Sequence, residues 1–306
     1  VKGTGFLGLD LDLAYEGPGV RISHVVPDGP MDHIKHAPGA GEFIVSVNDQ
    51  PCSTPEGVWS ALQGMAGRTV RMVIGPAPPE TGASEPAAGT RTVAVLAITE
   101  EAERRLRHRE EDARIQTRVA ELSSGTCGYV RLRDLGTASL RSLADALLSD
   151  SKHVRSLIVD MRDLQSDDDP ETAIGLLLNQ PALVCAPAGT ALAEVGLRIP
   201  RLPIVLMVNE RTSGSAEVAA RAFLQASRGP IVGAPTAGWQ CTYKPYDAVP
   251  GLIISMADRK YRPVQAVDPQ EAVVLPTVPP VRNREDQLSA GVVEALRLGE
   301  AALSGA

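Results

Sequence analysis

A change of pattern at Ser123-Ser124-Gly125 constrains this chain more than any other feature of its sequence. Upstream of it, short apolar runs at 8–13, 20–25, 43–47, 69–74 and 92–98 are separated by Gly, Pro and Asn-Asp turns, the signature of strands. A helix is expected after Pro55, where Val58, Trp59 and Leu62 recur at helical spacing. Downstream, the apolar runs 127–132, 157–160, 204–209 and 230–233 read as buried strands, and helical patterns at 139–148, 170–179 and 216–226 fill the gaps between them. Strand and helix in alternation predict a layered α/β domain. Asp169-Pro170 is a capping residue followed by a proline at the first helical position, and Val292, Val293, Leu296 and Leu298 mark a terminal helix.

Between the two patterns lies the charged stretch 101–122, where Arg105, Arg109 and Arg114 alternate with Glu110, Glu111 and Asp112. It reads as a solvated helix knitted by pairs four residues apart. The expected organisation is therefore a β-rich domain over 1–98, a connector helix over 99–122 and an α/β domain over 123–306. The stretch 75–89, rich in Pro, Gly, Ala, Ser and Glu, reads as a mobile hairpin loop.

Charge and composition remove several classes of function. Lys and Arg total 30 against 37 Asp and Glu, so no basic excess is available to neutralise phosphates, and neither nucleic acid nor a membrane surface is an expected partner. The longest apolar runs fall far short of the roughly 18–20 residues that span a bilayer. Cys52, Cys127, Cys185 and Cys241 show no Cys-x-x-Cys spacing, which argues against a zinc ribbon or disulfide framework and for a reducing, cytoplasmic setting. With aromatic content of 3%, the core must be aliphatic. The opening Val1-Lys2-Gly3 has neither a starting Met nor a leader, so the chain is expected to be a processed product or a piece of a longer protein.

Two stretches carry a resemblance. Gly19 to Val26, followed by Pro38-Gly39-Ala40-Gly41-Glu42-Phe43-Ile44-Val45-Ser46-Val47-Asn48, resembles the middle of a PDZ domain. Such a module takes up an extended peptide as an added strand, with loop N–H groups receiving its terminal carboxylate. The resemblance places that loop at Gly5-Phe6-Leu7-Gly8; the alternative is that Gly5 and Gly8 are ordinary turn glycines. In the second half, Gly128-Tyr129-Val130-Arg131-Leu132, Leu157-Ile158-Val159-Asp160-Met161-Arg162, the run from Pro203 to Glu210, and Gly233-Ala234-Pro235-Thr236-Ala237-Gly238 resemble the core of the S41 serine peptidases. The order of PDZ-like module, charged helix and core is similar to that of the tricorn proteases. The fold implied by the resemblance is a ClpP/crotonase-like arrangement of βαβ units, with the nucleophile at a strand-to-helix turn.

Carried over residue by residue, the catalytic parts are missing. The family's nucleophile stands three positions before an acidic residue, here Glu217, and that position is Gly214. The lysine base of the processing proteases corresponds to Trp239, and the first lysine after it is Lys244. The tricorn histidine base lies upstream of the PDZ domain, beyond this chain, and the tricorn acidic partner would fall near Pro263. Where the family has Asn and glycines that donate to the oxyanion, this sequence has Asp163-Leu164-Gln165-Ser166-Asp167-Asp168-Asp169. Three carboxylates would oppose a developing negative charge. The aspartates are read as helix caps in preference to a Mg²⁺ or Ca²⁺ site.

The expectation is a peptide-binding, catalytically impaired S41-like module that needs no metal or cofactor and assembles as a homo-oligomer or within a larger tricorn-like particle. The substrate cleft is assigned to Asp163, Leu164, Gly214 and Ser215. The alternative is an active serine endopeptidase in which a local bulge makes Ser215 the nucleophile, or more weakly Ser213, with a base from outside the chain.

Overall fold

Strands that alternate buried and exposed residues give way to strands buried on both faces, and this difference divides the protein. The computed structural model describes residues 3–78, 89–149, 153–178, 183–185, 193–195, 202–261, 273–281 and 283–304. Two compact units emerge, Val1–Ala113 and Arg114–Ala306.

The first unit holds β1 (Leu9–Leu11), β2 (Val20–Val25), β3 (Phe43–Val47), β4 (Gln50–Pro51), α1 (Pro55–Ala61), β5 (Thr69–Gly75) and β6 (Arg91–Leu96). The strands form an antiparallel sheet in the order β1-β2-β3-β5-β6, with β4 folded back on β3. Along β5, Val70, Met72 and Ile74 are buried while Thr69 and Arg71 are exposed, as a sheet with one face on a core requires. The core adds Val20, Ile22, Ile44, Val47, Val93 and Val95, closed over by Val58 and Leu62. α1 starts where Thr54 accepts the Gly57 N–H (3.3 Å) and Pro55 takes the first helical position. Trp59, which recurs with Val58 and Leu62 at helical spacing, is 46% exposed. Most of the loop expected at 75–89 lies outside the described residues.

The charged stretch is a single helix, α2 (Glu100–Ser123), and its pairs Glu101–Arg105 and Glu103–Arg107 are spaced four apart as expected. It is more than a solvated connector. In the first unit Leu106 is buried, Arg107 reaches Asp10 (2.7 Å) and His24 meets Glu110 (2.6 Å). In the second unit Val119 and Ile115 join the core.

The second unit comprises β7 (Cys127–Arg131), α3 (Thr137–Leu148), β8 (Ser156–Asp160), β9 (Gln165–Ser166), α4 (Glu171–Leu178), β10 (Leu183–Cys185), β11 (Ala193–Val195), β12 (Ile204–Val208), β13 (Ser213–Gly214), α5 (Ser215–Gln225), β14 (Ile231–Gly233), β15 (Cys241–Val249), β16 (Leu252–Lys260) and α6 (Arg284–Ser304). Its centre is a parallel sheet in the order β14-β12-β8-β7. Leu157, Val159, Leu206 and Val208 face α3, α4 and α5 through Leu143, Leu147, Ala173, Leu177, Ala219 and Phe223. Ile158, Val205 and Met207 face the opposite way, onto Leu288, Val292 and Ala295 of α6. Helices cover both faces, which is why these strands read as unbroken apolar runs. β10 and β11 pair with each other, and β15 and β16 form a long antiparallel hairpin that sequence reading did not anticipate.

A charge is sealed into this unit at the end of β8. Asp160, fully buried, accepts the Tyr129 hydroxyl (2.8 Å) and the Arg162 Nη2 (2.7 Å), and Arg162 also donates to Gln287 Oε1 (3.2 Å) and the Arg284 carbonyl (3.1 Å). Burial and the adjacent carboxylate push the Tyr129 hydroxyl well above its ordinary value and keep it a donor. Removing Asp160 leaves the Arg162 guanidinium charged, dry and without its counter-ion. Asp160→Ala should lower stability by about 3–5 kcal/mol, measured as a shift of the urea midpoint, whereas a loss under 1 kcal/mol would mean that the network is solvated.

Candidate functional site

The strand-to-helix turn after β12 is built from polar groups that cap one another. The Asn209 N–H donates to Thr212 Oγ1 (3.1 Å), and that hydroxyl donates to the Met161 carbonyl (2.9 Å). The chain then enters β13, which runs parallel to β9 with Ser213 opposite Gln165 and Gly214 opposite Ser166. α5 begins at the next residue. Gly214 is its capping residue, with φ 66° and ψ −133°, a conformation that L side chains rarely adopt. Its N–H donates to the Trp239 carbonyl (3.0 Å), and a Cβ added there would collide with the Ser166 carbonyl oxygen. At the position matched to the nucleophile the space is therefore filled by backbone.

Ser215, the alternative nucleophile, is fully buried, and its Oγ donates to the Asp168 carbonyl. Ser213 is partly buried on β13. Trp239, at the matched base position, is 62% exposed, and Lys244 lies on β15 with its Nζ 2.9 Å from Asp258. Of the five histidines only His153 belongs to the second unit, and it is exposed. Pro263 lies outside the described residues.

The loop expected to hold the oxyanion donors is knitted by its own side chains. Asp163 takes a left-handed conformation (φ 61°); its N–H donates to Asn209 Oδ1 (2.9 Å), and Asn209 Nδ2 donates back to its carboxylate (2.9 Å). Arg131, Arg211 and Arg284 surround the same carboxylate. The Leu164 N–H is used by the Met161 carbonyl (3.2 Å), and the Leu164 carbonyl accepts from Ser213 (3.0 Å). Asp169 accepts the Glu171 N–H (3.0 Å) and so caps α4, Asp168 accepts the Ser166 hydroxyl (3.0 Å), and Asp167 accepts the Tyr243 N–H (2.9 Å). The structure brings Asp163, Leu164, Gly214 and Ser215 into one turn-and-loop assembly, and each of these residues has a backbone or side-chain group engaged inside it.

The first unit contains a groove of about 360 Å³ walled by Leu9, Leu11, Leu13, Val58, Trp59 and Leu62. Gly5, Phe6 and Leu7 also line it. Two of the expected loop donors are spent inside the unit, Gly5 on the Leu62 carbonyl (2.8 Å) and Phe6 on the Ile98 carbonyl (2.9 Å). The N–H groups of Leu7 and Gly8 have no partner among the described residues. Sequence reading missed Leu9. It sits opposite Val25 in a pair flanked by the Val26-to-Gly8 bond (2.9 Å), so its own N–H and carbonyl point away from β2, as in a non-hydrogen-bonded antiparallel pair. The open donors therefore run from Leu7 to Leu9.

No family model matches the chain. Two proteins of Streptomyces coelicolor do: tricorn protease homolog 2, 28% identical over 231 residues that cover 71% of this chain and 18% of that protein, and tricorn protease homolog 1, 26% identical over 242 residues that cover 76% and 22%. The crystal structure of the tricorn protease superposes on 80% of this chain with a TM-score of 0.61 at 19% identity, using 23% of its own length. The chain resembles the tricorn proteases in sequence and in fold. It spans about a fifth of the length of these relatives.

At this strand-to-helix turn the side chain that sequence reading undervalued is Glu217. It served only as a marker for counting back to the nucleophile, yet it closes the site. Fully buried in the first turn of α5, it accepts the N–H groups of Gly238 (2.7 Å) and Trp239 (2.6 Å) and the Thr236 hydroxyl. Its place in the helical pattern was the available signal: a carboxylate on the apolar face must find donors in the fold.

Two outcomes follow from this geometry. Gly214→Ser should cost at least about 2 kcal/mol, read from the denaturation midpoint, and should create no serine reactivity; a stable, reactive variant would contradict the contact with Ser166. Burial is the leading cause that holds the Glu217 carboxyl above its ordinary value of 4.5. The unfolded chain releases that proton first, so this group removes stability as pH rises from 4.5 through its raised native value. Relative to wild type, Glu217→Gln should lack that downward slope in urea midpoints collected across the acid range.

Proposed function

We propose that this chain is an S41-like module of tricorn type that captures extended peptides and leaves them intact. The observation that carries the reading is at Gly214, where the Ser166 backbone carbonyl occupies the place a nucleophilic side chain would need. Nucleophilic catalysis requires an attacking atom within reach of a base. Ser215 is turned to a carbonyl, Lys244 is held by Asp258, and Trp239 has no basic atom. The Asp163 and Leu164 amides are already bonded, and the loss of even one oxyanion donor costs about 3–4 kcal/mol of transition-state stabilisation.

Peptide capture is assigned to the PDZ-like first unit, where the free amides of Leu7 and Gly8 and the open edge of Leu9 border an apolar groove. A peptide laid along β1 would extend the sheet, with its end carboxylate at those amides and an apolar side chain between Val58 and Leu62. The ClpP/crotonase-like architecture belongs to the same reading, and the parallel sheet between helical layers supports it. Self-assembly is supported by the β15–β16 hairpin, which exposes Tyr246, Leu252, Ile254 and Met256 together on one of its faces. A reducing, cytoplasmic setting accords with the free thiols of Cys52, Cys127 and Cys241.

Fluorophosphonate labelling of the wild-type chain beside Ser215→Ala, combined with mass spectrometry of a peptide mixture after incubation, separates this reading from the tricorn-type endopeptidase. Neither labelling nor cleavage is expected from either protein. Labelling and cleavage that disappear in Ser215→Ala would replace capture by hydrolysis.

A further inference from the structure

The groove of the first unit has one wall that its apolar lining does not explain. Glu103, on α2, is 5% exposed and stands among the groove residues together with Asp10 and Arg107. Its Oε1 accepts from Arg107 Nε (2.9 Å) and Nη2 (2.7 Å), whereas its Oε2 is buried and has no hydrogen-bond partner among the described residues. Arg107 Nη2 is shared with Asp10 (2.7 Å). Two carboxylates thus divide one guanidinium, and this wall carries a net negative charge with one acceptor idle. A buried oxygen in that condition has lost its water without replacement, and the cost is recovered only when a donor arrives.

Chemistry narrows the donor. The peptide's backbone N–H groups are committed to the edge of β1 in the strand-addition mode, so the donor must come from a side chain. The excess of negative charge favours a cation over a hydroxyl or amide. A lysine or arginine stem can lie along Leu9, Leu11 and Trp59 while its head comes up to the wall formed by Glu103, Arg107 and the exposed Asp10 carboxylate.

We infer that Glu103 is a specificity-determining residue of the groove, selecting extended peptides that present a lysine or arginine side chain next to an apolar one. The inference rests on the peptide-capture reading and adds the class of peptide captured.

Fluorescence anisotropy with the whole chain tests it. The probes are fluorescein-labelled peptides ending in a free leucine carboxylate, identical except for Lys, Gln or Glu placed at each preceding position in turn. At one position the Lys peptide should bind wild type about tenfold more tightly than the Gln peptide, with the Glu peptide weaker still. Glu103→Gln should bring the Lys and Gln affinities together. Equal affinities for all three peptides in wild type, which needs no variant to fold, would overturn the role of Glu103 and leave peptide capture standing. Absence of binding by every probe would remove the capture reading itself, and the inference with it.

Discussion

Both faces of β8 and β12 are out of water, so the polar groups at the ends of these strands have to be satisfied by the protein itself. Everything at the candidate site descends from that constraint. Asp160 ends β8 and is answered by Tyr129 and Arg162; Asn209 follows β12 and is answered by Asp163 and Thr212. Arg162 passes the link on to Gln287 of α6, so that the helix on one face and the loops at the strand ends are held by one set of hydrogen bonds. Deep apolar packing supplies the stability of the sheet, and the polar chain decides where its loops go.

An S41-type reaction would need that same region to keep groups in reserve. An oxyanion site depends on donors that wait unpaired for a charge that has yet to develop. Here three donors of that region are spent: Asp163 on Asn209, Leu164 on Met161, Gly214 on Trp239. The carboxylates of Asp167, Asp168 and Asp169 cap and staple their own loop, and Glu217 holds the segment at Gly238 and Trp239 against α5. The groove of the first unit differs in kind, because it keeps both free amides at Leu7 and Gly8 and an idle carboxylate oxygen at Glu103. Reserve capacity lies where capture is proposed.

Much of the fold was readable in the chain. The strands at 20–25 and 43–47 emerge with the expected bounds, and those of the parallel sheet fall within a residue or two, because fully apolar runs bounded by Gly and Pro have few alternatives. The cap at Asp169 was legible for a local reason, since it bonds an amide two residues away. The β15–β16 hairpin was missed because its exposed apolar residues, among them Ile253 and Ile254 in succession, break the alternation by which a half-buried strand is recognised. Periodicity marks Val58, Trp59 and Leu62 as helical, and only the tertiary packing of α1 decides that Trp59 faces solvent at the groove.

The sequence by itself determined the alternation of strand and helix, the resemblance to tricorn proteases, and the bare chemical fact that Gly214 has no attacking atom. Those properties are local, carried by neighbours in the chain. Tertiary structure alone decided that Gly214 could not be exchanged for a serine without displacing Ser166, that Ser215 faces the Asp168 carbonyl, and that Leu9 rather than Gly5 offers its amide to the groove. Each of these depends on backbone groups brought together from distant segments, and a backbone carbonyl, identical in every residue, leaves no mark of its partner in the sequence.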